Sequence, residues 1–141
     1  MAVNNKPIFT NTPQISWTNA VTAANTTVDL TSGTIYGPIF TAAATDGGYV
    51  QKIRFRSLGT NIATVARVWL NNGSVTTTAA NNTLIDEISL PATTVSQTSA
   101  LSNYEIPLNF ALPGGYRIYV TLGTAIAAGY GIAVFGGSYT A

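Results

Sequence analysis

A chain of 141 residues and 14.7 kDa is long enough for one domain with a real core and too short for two. Hydrophobic residues make up 46% of it, which excludes intrinsic disorder, while only 8% are charged, so Thr, Asn and Ser supply the polarity and a net charge of +1 opposes association weakly. With no Cys and no His there are no disulfides, no thiolate chemistry, no Cys-based metal site and no imidazole general base.

The opening MAVNNKPIFTNTPQ sets Pro7 and Pro13 among Asn and Thr, a composition that resists regular structure. Residues 1–14 therefore read as an extended N-terminal arm, and residues 15–141 as one domain. The opening contains no apolar stretch of signal-peptide length, so the expectation is a protein made in a cytoplasm and not secreted. From there, short β-prone runs alternate with turn signals, and no window carries a capped 3.6-residue apolar period. The candidate strands are 15–22, 27–31, 35–42, 49–57, 62–71, 83–90, 104–111, 116–122 and 130–135. The punctuation includes Asp46-Gly47-Gly48, Asn72-Gly73 and Pro113-Gly114-Gly115.

In 49–57, Ile53 and Phe55 oppose Lys52, Arg54 and Arg56. In 62–71, Val65 and Trp69 fall on the face opposite Ile62, Ala66, Val68 and Leu70. A strand apolar on both faces is buried on both or meets another subunit. The run 104–111 alternates Tyr104, Ile106, Leu108 and Phe110 against Glu105, Pro107 and Asn109. Pro107 has no N–H to donate, which puts this strand at a sheet edge or gives it a bulge. With 116–122 beyond the Pro-Gly-Gly turn, it reads as a hairpin. In the last strand Ala133 and Phe135 oppose Ile132 and Val134, again apolar on both sides. Gly123, Gly129 and Gly131 interrupt the most apolar stretch, which lacks the ~20 continuous apolar residues of a membrane helix. Eight or nine strands in one domain predict an all-β, antiparallel β-sandwich of jelly-roll type.

Chemistry is sparse. The five acidic residues are Asp29, Asp46, Asp86, Glu87 and Glu105, and the adjacent Asp86 and Glu87 point to opposite faces of a strand rather than into one cleft. No calcium-loop spacing, phosphate-binding Gly loop or Lys-activated Ser motif is present, so no catalytic, cofactor or metal residue is expected and the chain reads as a non-enzyme. The strongest local signal is Lys52, Arg54 and Arg56 on one strand face, three of six basic residues. It is either a solvated outer face or a stripe that docks on an acidic protein. Nucleic acid is disfavoured by the near-zero net charge and the lack of a second basic cluster. Val65, Trp69 and Phe135 are the candidate contacts of a closed homo-oligomer.

The runs IATVARVWLNNG at 62–73, NTLIDEISLP at 82–91 and PLNFALPGGYRI at 107–118, with the Gly-rich closing strand, give the second half a particular texture of strands and turns. In these residues the chain resembles the capsid decoration, or cement, proteins of tailed bacteriophages. The resemblance implies a jelly-roll homotrimer on the outer surface of a phage head, bracing major capsid protein subunits, with no cofactor, membrane or small-molecule substrate. It assigns no individual site residue and does not reach the N-terminal segment. Two other readings stand beside it: a carbohydrate- or receptor-binding sandwich of a tail fibre, with Trp17, Trp69 and Tyr139 as candidate aromatics, and another virion part such as a tail-tube subunit.

Overall fold

The computed structural model describes residues 10–140. Eight strands follow one another: β1 Thr12–Val21, β2 Tyr36–Thr41, β3 Gly48–Ser57, β4 Thr64–Asn71, β5 Asn82–Leu90, β6 Asn103–Leu112, β7 Arg117–Leu122 and β8 Tyr130–Ser138. A three-residue 3-10 turn, Ala79–Asn81, is the one helical element among the described residues. The strands form two antiparallel four-stranded sheets, ordered β1-β8-β3-β6 and β2-β7-β4-β5. Each sheet alternates strands from the two halves of the chain, so the first strand lies beside the last. That is a jelly-roll order, in keeping with the type of sandwich expected from the strand count, which by itself specified no order.

The core lies between the sheets and is built from the alternation legible in sequence. Ile53 and Phe55 of β3, Ala66 and Val68 of β4, Ile118 and Val120 of β7, and Ile132 and Val134 of β8 are all buried there. Tyr104 and Tyr116 pack against the same core. β6 is an edge strand, and the β3–β6 register shifts between Val50 and Lys52, just where Pro107 breaks the ladder. Gly47 makes the entry to β3 possible: its φ is +75°, and a Cβ there would strike the Leu112 carbonyl.

Three expectations are corrected. β1 begins at Thr12, so Thr12, Pro13 and Gln14, read from sequence as arm, pair with Ser138, Gly137 and Gly136. Residues 1–9 of that arm lie outside the described residues. The run 27–31 is a loop. Asn25 accepts hydrogen bonds from Thr27 N and Thr27 Oγ1 and donates to the carbonyls of Ser32 and Thr34, and Asp29 caps Thr31, so side chains satisfy the backbone groups that a ladder would use. Finally, β6 and β7 are not a hairpin, because β6 pairs with β3 and β7 with β2 and β4. The Pro-Gly-Gly turn reverses the chain but carries it across to the other sheet.

Candidate functional site

On the outer face of the β1-β8-β3-β6 sheet, the pairing register places side chains in rows. One row runs Trp17, Ala133, Arg54, Glu105, and the next Ile15, Phe135, Lys52, Pro107. Arg56 follows, between Gly131 and Asn103. The basic stripe expected from sequence is thus real as an outward row on a central strand, anchored from behind by the fully buried Ile53 and Phe55.

Its charges are not free. Arg54 Nε donates to Glu105 Oε1 at 2.7 Å and Lys52 Nζ reaches the same oxygen at 3.2 Å. Arg56 donates to the Leu101 carbonyl at 2.9 Å and to Asn103 Oδ1 at 2.6 Å. Lys52 and Arg54 also sit over the Phe135 ring, 5.4 and 5.2 Å from its centroid. The hydrogen bond from Arg54, and then that from Lys52, hold the Glu105 carboxyl below the usual carboxylate range. Three cations against one carboxylate leave the face positive, with each side chain held in place.

The sequence reading missed what lies beside the stripe. In β1 the alternation is clear, but its direction is inverted: Gln14, Ser16 and Thr18 are half-buried, while Ile15 and Trp17 are 56% and 67% exposed. Gln14 turns toward β2 and donates to the Thr41 carbonyl at 3.5 Å. Between Trp17 and Arg54 the central strand presents only Ala133, so a shallow floor separates an exposed indole from an ion pair. Next to it, Pro13, Ile15, Tyr49, Gln51, Phe135 and Thr10 surround a concavity of about 590 Å³.

The three candidate oligomer contacts do not come together. Trp69 is only 2% exposed within one chain, because Leu30 from the 22–35 loop and Tyr119 cover it, and its Nε1 donates to Thr121 Oγ1 at 3.0 Å. Its second apolar face is explained by that loop, so Trp69 offers no surface to another copy. Val65 lies half-buried on the same outer face, against Gly123. Phe135 is on the opposite sheet, half-buried under the cations. Nor do Trp17, Trp69 and Tyr139 converge, since one is exposed, one is buried and Tyr139 follows the far end of β8.

The carboxylates are equally dispersed. Glu87 bonds Arg67 at 2.7 Å, Asp86 accepts from Glu87 N, and Thr31 holds the Asp29 carboxyl below its usual range through backbone and side-chain hydrogen bonds.

No family model matches the chain, and no curated protein matches it. Among solved structures it is similar to one of the infectious bursal disease virus Gx strain, at 12% identity and a TM-score of 0.27 over 97% of this chain. It is also similar to a mutant VP2 protein of infectious bursal disease virus in derived T=1 particles, at 15% identity and a TM-score of 0.24 over 96% of this chain. The chain spans 36% of the length of each. Likenesses this slight carry neither fold nor function across.

Proposed function

We propose that this chain is a non-catalytic structural protein of a virion, and that it works by docking the outer face of the β1-β8-β3-β6 sheet on a larger coat protein. The observation that carries the reading is Trp17, 67% exposed beside Ile15 and next to the immobilised Lys52, Arg54 and Arg56 row. Aromatic and Arg anchors framed by charge are what protein interfaces use, and an exposed indole on a rigid sheet loses little entropy on burial. The positive face fits a partner surface whose carboxylates ring an apolar patch. The resemblance of residues 62–135 to phage decoration proteins gives the specific form of the proposal, a cement protein on the head bracing major capsid subunits.

Binding to undecorated heads is the test. Trp17→Ala should remove most of the binding while the fold is kept, because the side chain is exposed. Arg56→Gln should weaken binding chiefly at low salt, where charge attraction is least screened. Acrylamide quenching of Trp17 should fall on docking. Full binding by Trp17→Ala, with quenching unchanged, would overturn the reading.

The Trp17–Ala133–Arg54–Glu105 row also favours a second reading, a saccharide site of a tail-fibre type. The apolar face of a sugar ring would stack on the indole and its hydroxyls would meet the ion pair. A fluorescence change of Trp17 on glycan titration, with no binding to heads, would select it.

A further inference from the structure

A sheet edge presents unpaired N–H and C=O groups that can recruit another strand, and proline is one residue that blunts it. The two sheets have four edge strands, β1, β6, β2 and β5. Pro13 lies in β1, Pro107 in β6 and Pro38 in β2, whereas β5 contains no proline and is only followed by Pro91. The central strands β8, β3, β7 and β4 contain none either, so the prolines within strands mark three edges and leave one unmarked.

That edge is regular over its second half. Beyond the register shift between Val68 and Trp69, Asp86 to Leu90 pair without interruption with Val68 to Thr64. Among the described residues no strand lies on the other side of β5. The Glu87 amide donates to the carboxylate of its own neighbour, Asp86, at 2.8 Å. A local side-chain bond of this kind satisfies a backbone donor that a further strand would otherwise take.

Charge selects the occupant. Asp86 and Glu87 lie at the middle of β5, and Arg67, which bonds Glu87 at 2.7 Å, is the one cation on β4 or β5. Asp29 comes to the start of the strand, where the Asn82 amide reaches its carbonyl at 3.5 Å. Three of the five acidic residues thus gather along this edge, on the sheet that does not bear the Lys52, Arg54 and Arg56 row. A second copy pairing its own β5 antiparallel to this one about Asp86 would set carboxylate against carboxylate, which opposes self-association.

We propose that the β5 edge is a docking site for an extended segment of another protein with Lys or Arg at alternate positions, added as a fifth strand to the β2-β7-β4-β5 sheet. The incoming carbonyl takes the Glu87 N–H from Asp86, and the released Asp86 carboxylate receives the cation. Main-chain hydrogen bonds supply the affinity and the carboxylates the selectivity. With the basic face of the other sheet, the molecule then has two contacts of opposite charge. This inference does not depend on the coat-protein reading, and its assay involves no coat protein.

The test is an NMR titration of the full chain with a short peptide that alternates Lys with Val, taken to millimolar concentration. Amide shifts should saturate, centre on β5 and weaken with salt. The same peptide with Glu in place of Lys should not bind. Nor should the Lys peptide with its main-chain amides N-methylated, because strand pairing needs those donors. Asp86→Lys should weaken binding several-fold with circular dichroism unchanged, since the side chain is exposed. Glu87→Pro should abolish binding, as proline blunts the other three edges; should it prevent folding, Asp86→Lys and the methylated peptide decide without it. Absence of shifts at β5, or shifts confined to another surface, would overturn the proposal. So would equal binding of the Glu peptide, or of the methylated peptide, which would reduce the contact to charge attraction alone. Exchange protection of the β5 amides that grows with protein concentration, without peptide, would give the edge to a second copy and equally overturn it.

Discussion

Asn61 shows how this chain makes loops without charge. One buried amide group meets two backbone N–H groups, two carbonyls and one hydroxyl. Asn61→Ala would leave the amides of Ala128 and Gly129 without their acceptor, and each buried orphan costs about 1–3 kcal/mol, so chemical denaturation should report a loss of about 2 kcal/mol or more. Tyr130 is the counterexample. Its ring is fully buried and its hydroxyl has no hydrogen-bond partner, with burial pushing the phenol above its ordinary range. Ser57 offsets that shift slightly, but its hydroxyl is committed to the Gly59 carbonyl and Thr93. Tyr130→Phe should therefore leave the melting temperature unchanged or raised, which a thermal scan decides.

The core covers one face of β4, and at Trp69 the 22–35 loop covers the other. Trp69→Ala should accordingly cost about 3–5 kcal/mol, as large-to-small changes of buried aromatics do. Trp17→Ala, on an exposed position of β1, should cost within about 0.5 kcal/mol. Equal losses from the two would contradict the burial assigned to them. Between β3 and β6, Glu105 couples two strands through Arg54 and Lys52. Its carboxyl is held below its ordinary range, so the pairing contributes at pH values above the unfolded carboxyl's midpoint and is lost as pH falls through the lower, folded midpoint. An NMR titration should find the Glu105 midpoint depressed in the native protein and moved upward in Arg54→Gln. A midpoint that does not move would mean that the ion pair does not set it.

The whole molecule closes through its ends. Thr12 pairs with Ser138, and β8 is hydrogen-bonded on both sides, to β1 and β3. No sheet can be completed until most of the chain is present, so folding should take milliseconds to seconds, as it does for non-local β topologies. Stopped-flow fluorescence of Trp69 in a Trp17→Phe background would measure it. Deleting residues 130–141 should abolish folding, because it removes a central strand and leaves β1 without a neighbour in its sheet.

Period-two alternation and turn residues made the all-β class, most strand positions and the outward basic row legible before any coordinates, because a strand's two faces are written in its own residues. Ile53 and Phe55 opposite Arg54 needed no partner to be read. The sequence did not decide which face of a strand turns inward when the strand lies at an edge, and Ile15 and Trp17 are outward for that reason. It also did not distinguish an apolar face covered by a loop from one offered to another subunit, and Trp69 is the covered kind. The Pro-Gly-Gly reversal specified a change of direction without specifying a sheet. Glu105, which holds Arg54 and Lys52, sits more than fifty residues away in the chain. These are properties of how segments distant in sequence pack together, and local pattern carries no information about distant neighbours. The tertiary structure alone put prolines on three of the four sheet edges, leaving β5 without one, and set an exposed indole beside an ion pair.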